Sequence, residues 1–152
     1  MVSIGFNDGS IAVVVAIYAI MSVLMEVPSG VLADRWSRKG VLALAALCLA
    51  ISSLIGGLSY DVPTYILAAV FWGFFDALSS GTDSAIIYDT LEEERGDTKD
   101  YEKEYGFYQF IGGIAYIIAG VLGGVLGELF TLRSDYMLTV PIVLAAALIT
   151  LK

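Results

Sequence analysis

The segment Ser29–Gly40 reads SGVLADRWSRKG and separates two long apolar runs of the chain. It contains one acidic residue, Asp34, and three basic residues, Arg35, Arg38 and Lys39. A short charged segment between two apolar runs of membrane length is typical of a turn between transmembrane helices. Because basic residues concentrate on the cytoplasmic side of membrane proteins, this turn is predicted to face the cytoplasm.

The composition excludes an ordinary soluble domain. Of the 152 residues, 58% are hydrophobic and only 16% are charged, whereas charged residues make up about a quarter of a typical globular domain. A soluble fold of this length could not bury so much apolar surface. Irregular backbone cannot face lipid, so the sequence predicts an all-α membrane protein that crosses the bilayer several times.

Five apolar runs have lengths near that needed to cross the hydrocarbon core. Their approximate bounds are residues 11–33, 41–58, 65–88, 107–126 and 136–151. Each run is predicted to be a transmembrane helix, and residues 1–152 together are predicted to form a single, partial transporter domain. The segment Asp89–Glu104 contains half of the 16 acidic residues, so it is predicted to be a charged loop.

The basic residues also predict the orientation of the spans. If the spans alternate in direction, Arg133 lies alone on one side of the membrane. The other side then receives all the remaining basic residues, namely Arg35, Arg38, Lys39, Arg95, Lys99, Lys103 and Lys152. The N-terminus is therefore predicted to lie outside and the C-terminus in the cytoplasm. An odd number of spans that begins outside also predicts one more span before this chain and further spans after it.

Residues 30–39, GVLADRWSRK, resemble the signature loop of major facilitator transporters, G-x-L-A-D-R-x-G-R-K/R, between their second and third helices. The preceding Glu26–Gly30 stretch, EVPSG, resembles the E-x-P-x-G end of the second helix in drug-efflux-like members. Ser37 departs from the pattern, which has glycine there, so the turn is expected to differ while the charges remain. The resemblance implies that the five spans match helices two to six of the six-helix N-terminal bundle of a twelve-helix transporter.

In that family the loop acts as a cytoplasmic latch, which engages the other half of the transporter when the cavity opens outward. The resemblance implies this role for the motif residues, with Asp34 and Arg38 as the working pair. The latch motif comprises Gly30, Asp34, Arg35, Arg38 and Lys39. Its expected partner is the missing C-terminal half of the transporter.

The third span, YILAAVFWGFFDALSSGTDSAIIY, carries Asp76 near its midpoint and Asp83 seven residues later. Ser80 and Asp83 follow Asp76 at i+4 and i+7, so the three share one helix face. A carboxylate costs about 2.5–3.5 kcal/mol at the membrane centre, so this face is predicted to contact protein or water. Either the carboxylates line a cavity and bind a cationic group or a coupling proton, or they accept hydrogen bonds from neighbouring helices and fix the packing.

Two further residues are candidates for the same cavity. Trp72, one turn before Asp76, suits a flat or cationic substrate, with plain packing as the alternative. Glu26 lies two residues before Pro28, which is expected to loosen the helix. We expect Glu26 to pair with a basic residue at that end of the span, with a proton-carrying role as the alternative. Asp83 could likewise pair with the basic loop.

The fourth predicted span is rich in glycine. Gly120 and Gly124, and Gly123 and Gly127, form overlapping small-xxx-small pairs, which predict close approach by another helix. The GVLGG stretch is faintly similar to the fifth-helix antiporter motif of the same family, G-P-x-x-G-G, although the proline is missing.

The residue inventory excludes several classes of function. The chain has no basic face for nucleic acid, no histidine, and a single cysteine, Cys48, within an apolar run. We therefore expect no enzymatic activity, no cofactor and no metal site. The preferred function is proton-coupled efflux of small amphipathic or cationic compounds across a prokaryotic inner membrane. Sugar or metabolite uptake by the same fold and a non-transporting membrane protein fragment are the alternatives.

Overall fold

The computed structural model describes residues 5–151, apart from the side chains of Arg95 and Leu132. Residues 1–4 and Lys152 lie outside the described residues. Lys152 is one of the basic residues on which the predicted orientation depends. The helices are α1 Asp8–Arg35, α2 Arg38–Leu58, α3 Val62–Arg95, α4 Tyr101–Leu129 and α5 Leu132–Thr150. All five are long and apolar enough to cross a membrane. This confirms the predicted all-α architecture of five spans.

Short polar side chains begin the first three helices. Asn7 accepts a 2.8 Å hydrogen bond from the Ser10 amide, while the Ser10 hydroxyl accepts one from the Asn7 amide, which forms a capping box. Ser37 accepts a 2.9 Å bond from the Gly40 amide and so caps α2. The residue that departs from the family motif therefore has a definite role, because its hydroxyl satisfies a free amide at the start of α2.

Asp61 caps α3 in the same way, and Pro63 follows within the first turn. The carboxylate accepts a 2.8 Å hydrogen bond from the Thr64 amide. Hydrogen bonding from Thr64 lowers the pKa of Asp61 below its ordinary value, because it favours the ionised form.

The prediction that Asp89–Glu104 is a loop is wrong over most of its length. α3 continues through this segment to Arg95, and α4 begins at Tyr101, so only a short link separates them. Glu, Leu and Lys are good helix formers, and their charges are solvated beyond the end of the apolar span. Gly96 ends α3 in a left-handed conformation with φ of 70°, which glycine adopts at little cost.

α2 and α3 are the central helices of the described bundle. α3 packs along α1 and α2, and α2 also packs along α5. α4 makes far fewer contacts, with α3 and α5, and none of its described residues is buried. The small apolar core lies where α1, α2 and α3 meet and contains Ala33, Val41, Ala45 and Leu78. The many exposed apolar side chains elsewhere are those of a chain whose solvent is lipid.

Two glycine positions allow the closest helix contacts of the described bundle. A Cβ atom on Gly57 would lie 2.6 Å from Met137 Cε and 3.0 Å from Tyr136 Cβ, so α5 presses against α2 there. A Cβ atom on Gly73 would lie 2.7 Å from Met21 Cβ and 2.8 Å from the Tyr18 carbonyl oxygen, so α1 presses against α3.

The glycines predicted to mediate close packing are in a different situation. Beside Gly120, Gly123 and Gly124, an added Cβ would meet no described atom within 4 Å. These glycines lie on α4, the helix with the fewest contacts, and so no described helix uses the small-residue surface that the sequence predicted. Gly127, the fourth member of the two pairs, lies on the same helix.

Candidate functional site

The candidate site is organised by the crossing of α1 and α3 at Gly73. Because Gly73 lacks a side chain, the backbones approach closely enough for residues one turn along to meet. The Ser22 hydroxyl on α1 donates a 2.6 Å hydrogen bond to Asp76 Oδ2 on α3. Asp76 is half-buried, and the hydroxyl of Tyr18 on α1 also interacts with its carboxylate. The carboxylate near the middle of α3 thus faces two hydroxyl-bearing residues one turn apart on α1, and Ser22 makes the hydrogen bond.

Two serine bridges fix α3 on either side of this carboxylate. The Ser29 hydroxyl on α1 donates a 2.8 Å bond to the Ala77 carbonyl oxygen. The Ser52 hydroxyl on α2 donates a 2.8 Å bond to the Ala68 carbonyl oxygen. Both hydroxyl groups are buried, and a buried hydrogen bond between side chain and backbone restricts rotation of the helix about its axis. Asp76 is therefore held in a defined direction.

A cavity of about 280 Å³ adjoins Asp76 on the side of the bundle away from the latch motif. Aromatic rings dominate its lining, and the Tyr18 ring meets the Trp72 ring edge-on with centroids 6.4 Å apart. Tyr65 and Tyr136 lie opposite each other, with hydroxyl oxygens 2.5 Å apart. The lining comprises Val14, Val15, Tyr18, Ser52, Tyr65, Ala68, Ala69, Trp72 and Tyr136. Asp76 is not one of the lining residues, and Tyr18, which meets Trp72 and interacts with Asp76, connects the carboxylate to the cavity.

Asp83, the second predicted carboxylate, has a different partner. The hydroxyl of Tyr108 on α4 donates a 2.8 Å bond to Asp83 Oδ2. Asp83 forms no ion pair with the basic loop among the described contacts. Ser80 is exposed and forms no hydrogen bond within the described part of the chain. Both carboxylates therefore have the hydroxyl partners on neighbouring helices that the packing interpretation of α3 expects, and this geometry is also compatible with binding.

One residue of the latch motif, Arg38, forms an ion pair, and its other charged residues are exposed. Arg38 Nε lies 2.8 Å from Asp89 Oδ2 on α3. Asp34 is exposed and has no hydrogen-bond or ion-pair partner among the described residues, and its contact with the other half of the transporter stays a prediction. Arg35 ends α1, Lys39 lies in the first turn of α2, and both are exposed.

Glu26 and Gly30 lie on the same part of α1. Glu26 is exposed, and the expected pairing with a basic residue is not found among the described residues. A Cβ atom on Gly30 would meet nothing within 4 Å, whereas its neighbour Ser29 is buried against α3. Ser29 and Ala33 are thus the buried residues through which this part of α1 packs.

Sequence analysis missed four residues that complete the sites. Ser22, Tyr18 and Tyr108 supply the hydroxyl groups, and Gly73 allows the crossing. Gly73 carried one available signal, because it is a single glycine between large aromatic residues one turn before Asp76. No sequence signal pointed to Ser22, Tyr18 or Tyr108, since single polar residues in apolar spans are common.

Five membrane-length helices with carboxylates held between them define an integral membrane protein with polar sites inside its helix bundle. The sequence model of the Major Facilitator Superfamily matches residues 1–152. The chain belongs to this superfamily of membrane transporters.

Three relatives illustrate the range of that similarity. Puromycin resistance protein pur8 of Streptomyces alboniger is 28% identical over 145 residues, which are 95% of this chain and 28% of the relative. Methyl viologen resistance protein SmvA of Salmonella typhimurium is 25% identical over 150 residues, which are 99% of this chain and 30% of the relative. The arabinose-proton symporter of Bacillus subtilis is 39% identical over 62 residues, 41% of this chain and 13% of the relative. The chain thus spans less than a third of the length of these relatives.

Proposed function

We propose that this chain is part of a secondary transporter that moves small cationic, amphipathic compounds out of a prokaryotic cell in exchange for protons. The observation that carries the proposal is the surroundings of Asp76. Among the described residues, the interactions found for its carboxylate are with the hydroxyl groups of Ser22 and Tyr18, and Tyr18 also lines the cavity. The chain has no Lys or Arg between Lys39 and Arg95, so no basic side chain of α3 precedes Arg95.

A carboxylate with hydroxyl partners suits exchange between a cation and a proton. Hydroxyl groups donate to the ionised carboxylate and can accept from the protonated one, so both states are satisfied. An internal Lys or Arg would hold the carboxylate ionised and compete with a cationic substrate. Because a charge inside the bilayer is costly, the carboxylate gains from accepting either a proton or a cation.

The aromatic lining supports a cationic rather than an anionic or strongly polar substrate. Trp72 and the tyrosine rings present π faces, which attract a cation by about 0.5–2 kcal/mol each, more when water is excluded. Two of the similar proteins are named for resistance to puromycin and to methyl viologen, both of which are positively charged organic compounds near neutral pH. We extend that substrate class to this chain as a proposal.

The remaining parts of the proposal concern the arrangement of the whole transporter. The end of the bundle that carries Arg38 and Asp89 would face the cytoplasm, as the basic residues predict. Asp34, exposed at this end, would then be available to a second half of the transporter. Residues 1–152 would form part of one six-helix bundle, with the substrate path between the two halves.

The proposal is tested by transport in proteoliposomes that contain the full-length protein. An imposed proton gradient should drive methyl viologen accumulation, and Asp76→Asn should abolish it because asparagine cannot exchange a proton. Asp61→Asn is the matched control, since Asp61 is an exposed helix cap that is not among the residues lining the cavity. Gradient-driven transport by Asp76→Asn at the wild-type rate would exclude Asp76 as the exchanging group.

A second candidate is proton-coupled uptake of a sugar. The 39% identity to the arabinose-proton symporter over 62 residues favours it. In the same proteoliposomes this function would appear as arabinose uptake that follows protons inward, without competition by methyl viologen. Uptake of arabinose and no movement of organic cations would favour the symporter over the efflux protein.

A further inference from the structure

The cavity near Asp76 extends along α3, and its two ends differ chemically. Its lining residues on α3 stand at i, i+3, i+4 and i+7 and so share one face of the helix; they are Tyr65, Ala68, Ala69 and Trp72. Tyr65 and Trp72, at the two ends of this row, are about 10 Å apart along the helix axis. The Trp72 end is connected to the Asp76 carboxylate through Tyr18, so it is the end that favours positive charge.

The other end of the cavity presents a pair of hydroxyl groups from two helices. Tyr65 lies in the first turn of α3 and Tyr136 near the start of α5, and their hydroxyl oxygens are 2.5 Å apart. The two rings meet edge-on with centroids 6.4 Å apart, and both line the cavity. The described lining contains no charged side chain, so this end is polar but neutral. We call Tyr65 and Tyr136 the tyrosine pair.

The tyrosine pair has one hydrogen-bond donor that no described residue uses. Two hydroxyl groups carry two hydrogens, and the bond between Tyr65 and Tyr136 uses one of them. Neither hydroxyl has another hydrogen-bond partner among the described residues. The other hydroxyl groups of the lining are engaged, since Ser52 donates to a backbone carbonyl and Tyr18 interacts with Asp76. The second hydrogen of the tyrosine pair is therefore the donor that the cavity offers to a ligand.

We propose that Tyr65 and Tyr136 determine substrate specificity by donating a hydrogen bond to a neutral acceptor, such as a carbonyl oxygen, on the transported cation. This rests on the proposed function, since it names which organic cations the site prefers. The substrate lies along α3, with its positive charge toward Trp72 and Asp76 and its acceptor against the tyrosine pair. A cation without an acceptor binds more weakly, because it covers the pair and leaves the second O–H group without a partner.

Two cations of the same charge and similar shape test this preference. N-methyl-phenylpyridinium has no acceptor, and its derivative with a para-acetyl group carries a carbonyl at the end remote from the charge. Their dissociation constants are measured by isothermal titration calorimetry with the full-length protein in nanodiscs. Wild type should prefer the acetyl cation, and Tyr65→Phe/Tyr136→Phe should reduce that preference about threefold to tenfold, the effect of one net hydrogen bond.

The double change is needed because either hydroxyl group alone could still donate to the ligand. The aromatic rings remain in Tyr65→Phe/Tyr136→Phe, so its affinity for the parent cation should stay within about threefold of wild type. The matched control Tyr88→Phe/Tyr116→Phe removes two hydroxyl groups from exposed positions outside the cavity lining and should keep the wild-type preference. An undiminished preference in Tyr65→Phe/Tyr136→Phe would overturn the proposal.

The aryl ketone of the acetyl cation is also photoreactive, which gives a reading that does not depend on any variant folding. The label forms beside the carbonyl and should appear in wild-type peptides that contain residues 65–69 and 136–140. Labelling confined to residues 72–83 would place the carbonyl toward Asp76 instead, and the proposed orientation and the role of the tyrosine pair would then be wrong.

The two proposals fail separately. If gradient-driven transport of methyl viologen depends on Asp76 but the double change leaves the preference for the acetyl cation intact, the specificity role is wrong and the proposed function stands. If the double change removes the preference but no organic cation is transported, the tyrosine pair stands as part of a cation-binding site and the proposed function is wrong.

Discussion

Ser22 on α1 and Asp76 on α3 are joined by a 2.6 Å hydrogen bond, one turn from the point where Gly73 lets the two helices cross. The bond links a polar residue on one apolar helix to the deepest carboxylate of another. Because a carboxylate inside a membrane span needs a partner, this contact depends on the register in which α1 and α3 pack.

Gly73→Ala should destabilise the protein. The new Cβ atom would lie 2.7 Å from Met21 Cβ and 2.8 Å from the Tyr18 carbonyl oxygen, which costs about 1–3 kcal/mol of overpacking. The better helix propensity of alanine returns at most about 1 kcal/mol. Thermal unfolding in detergent should show a lower midpoint for Gly73→Ala. Gly81→Ala, on the same helix but in open space, should be neutral or stabilising.

Ser22→Ala should also lower stability, by about 1–3 kcal/mol, because Asp76 loses a hydrogen-bond donor in a half-buried position. Ser22→Thr keeps the hydroxyl and should lose less. Ser80→Ala is the control, since the Ser80 hydroxyl is exposed and has no hydrogen bond among the described residues. Equal unfolding midpoints for Ser22→Ala and Ser80→Ala would contradict a stabilising role for the Ser22 bond.

Exchanging the charges of Arg38 and Asp89 by mutation should show that the two residues stabilise the protein as a pair. Arg38→Asp or Asp89→Arg alone puts like charges at two positions whose native side chains lie 2.8 Å apart, and it should lower the unfolding midpoint. The double change should recover most of the loss. Both side chains are partly exposed, so the pair contributes only about 0.2–1 kcal/mol and less at high salt. Lys39→Asp, at an exposed neighbouring position, should not be rescued by Asp89→Arg.

Asp61 should contribute a pH-dependent part of the stability. Its folded-state pKa is lowered by hydrogen bonds from Thr64, so the unfolded chain takes up the proton more readily. The contribution is therefore present above the unfolded pKa and is lost as the pH falls through the lowered folded value. Asp61→Asn keeps the cap but removes the titration. Between pH 7 and pH 3, its unfolding midpoint should fall less than that of wild type, and equal falls would refute the assignment.

The sequence predicted the spans because hydropathy alone decides which segments enter a bilayer. The prediction of a loop after Tyr88 was wrong, because the charged residues that exclude this segment from the bilayer are good helix formers in water. A helix can therefore continue past the membrane without any change in its backbone, as α3 does to Arg95. Gly96, whose left-handed conformation ends α3, was the available signal.

The candidate site was predictable in part. Asp76 and Asp83 were recognisable from their cost inside an apolar helix, and their shared face follows from helix geometry. Which hydroxyl groups become their partners, here those of Ser22 and Tyr108, depends on how far each helix is shifted along its neighbours. That shift is fixed by close contacts such as Gly73 against Met21, which no single span reveals.

The unequal attachment of the helices to α3 has a mechanical consequence. Buried serine bridges and glycine contacts join α1, α2, α3 and α5, whereas α4 has no buried residue in its described part and is bonded to α3 through Tyr108 and Asp83. Within the described bundle, α4 is therefore the helix that its neighbours hold least firmly. The Tyr108–Asp83 hydrogen bond joins this helix to α3, so we expect a displacement of α4 to break that bond while the contacts of Asp76 with α1 remain.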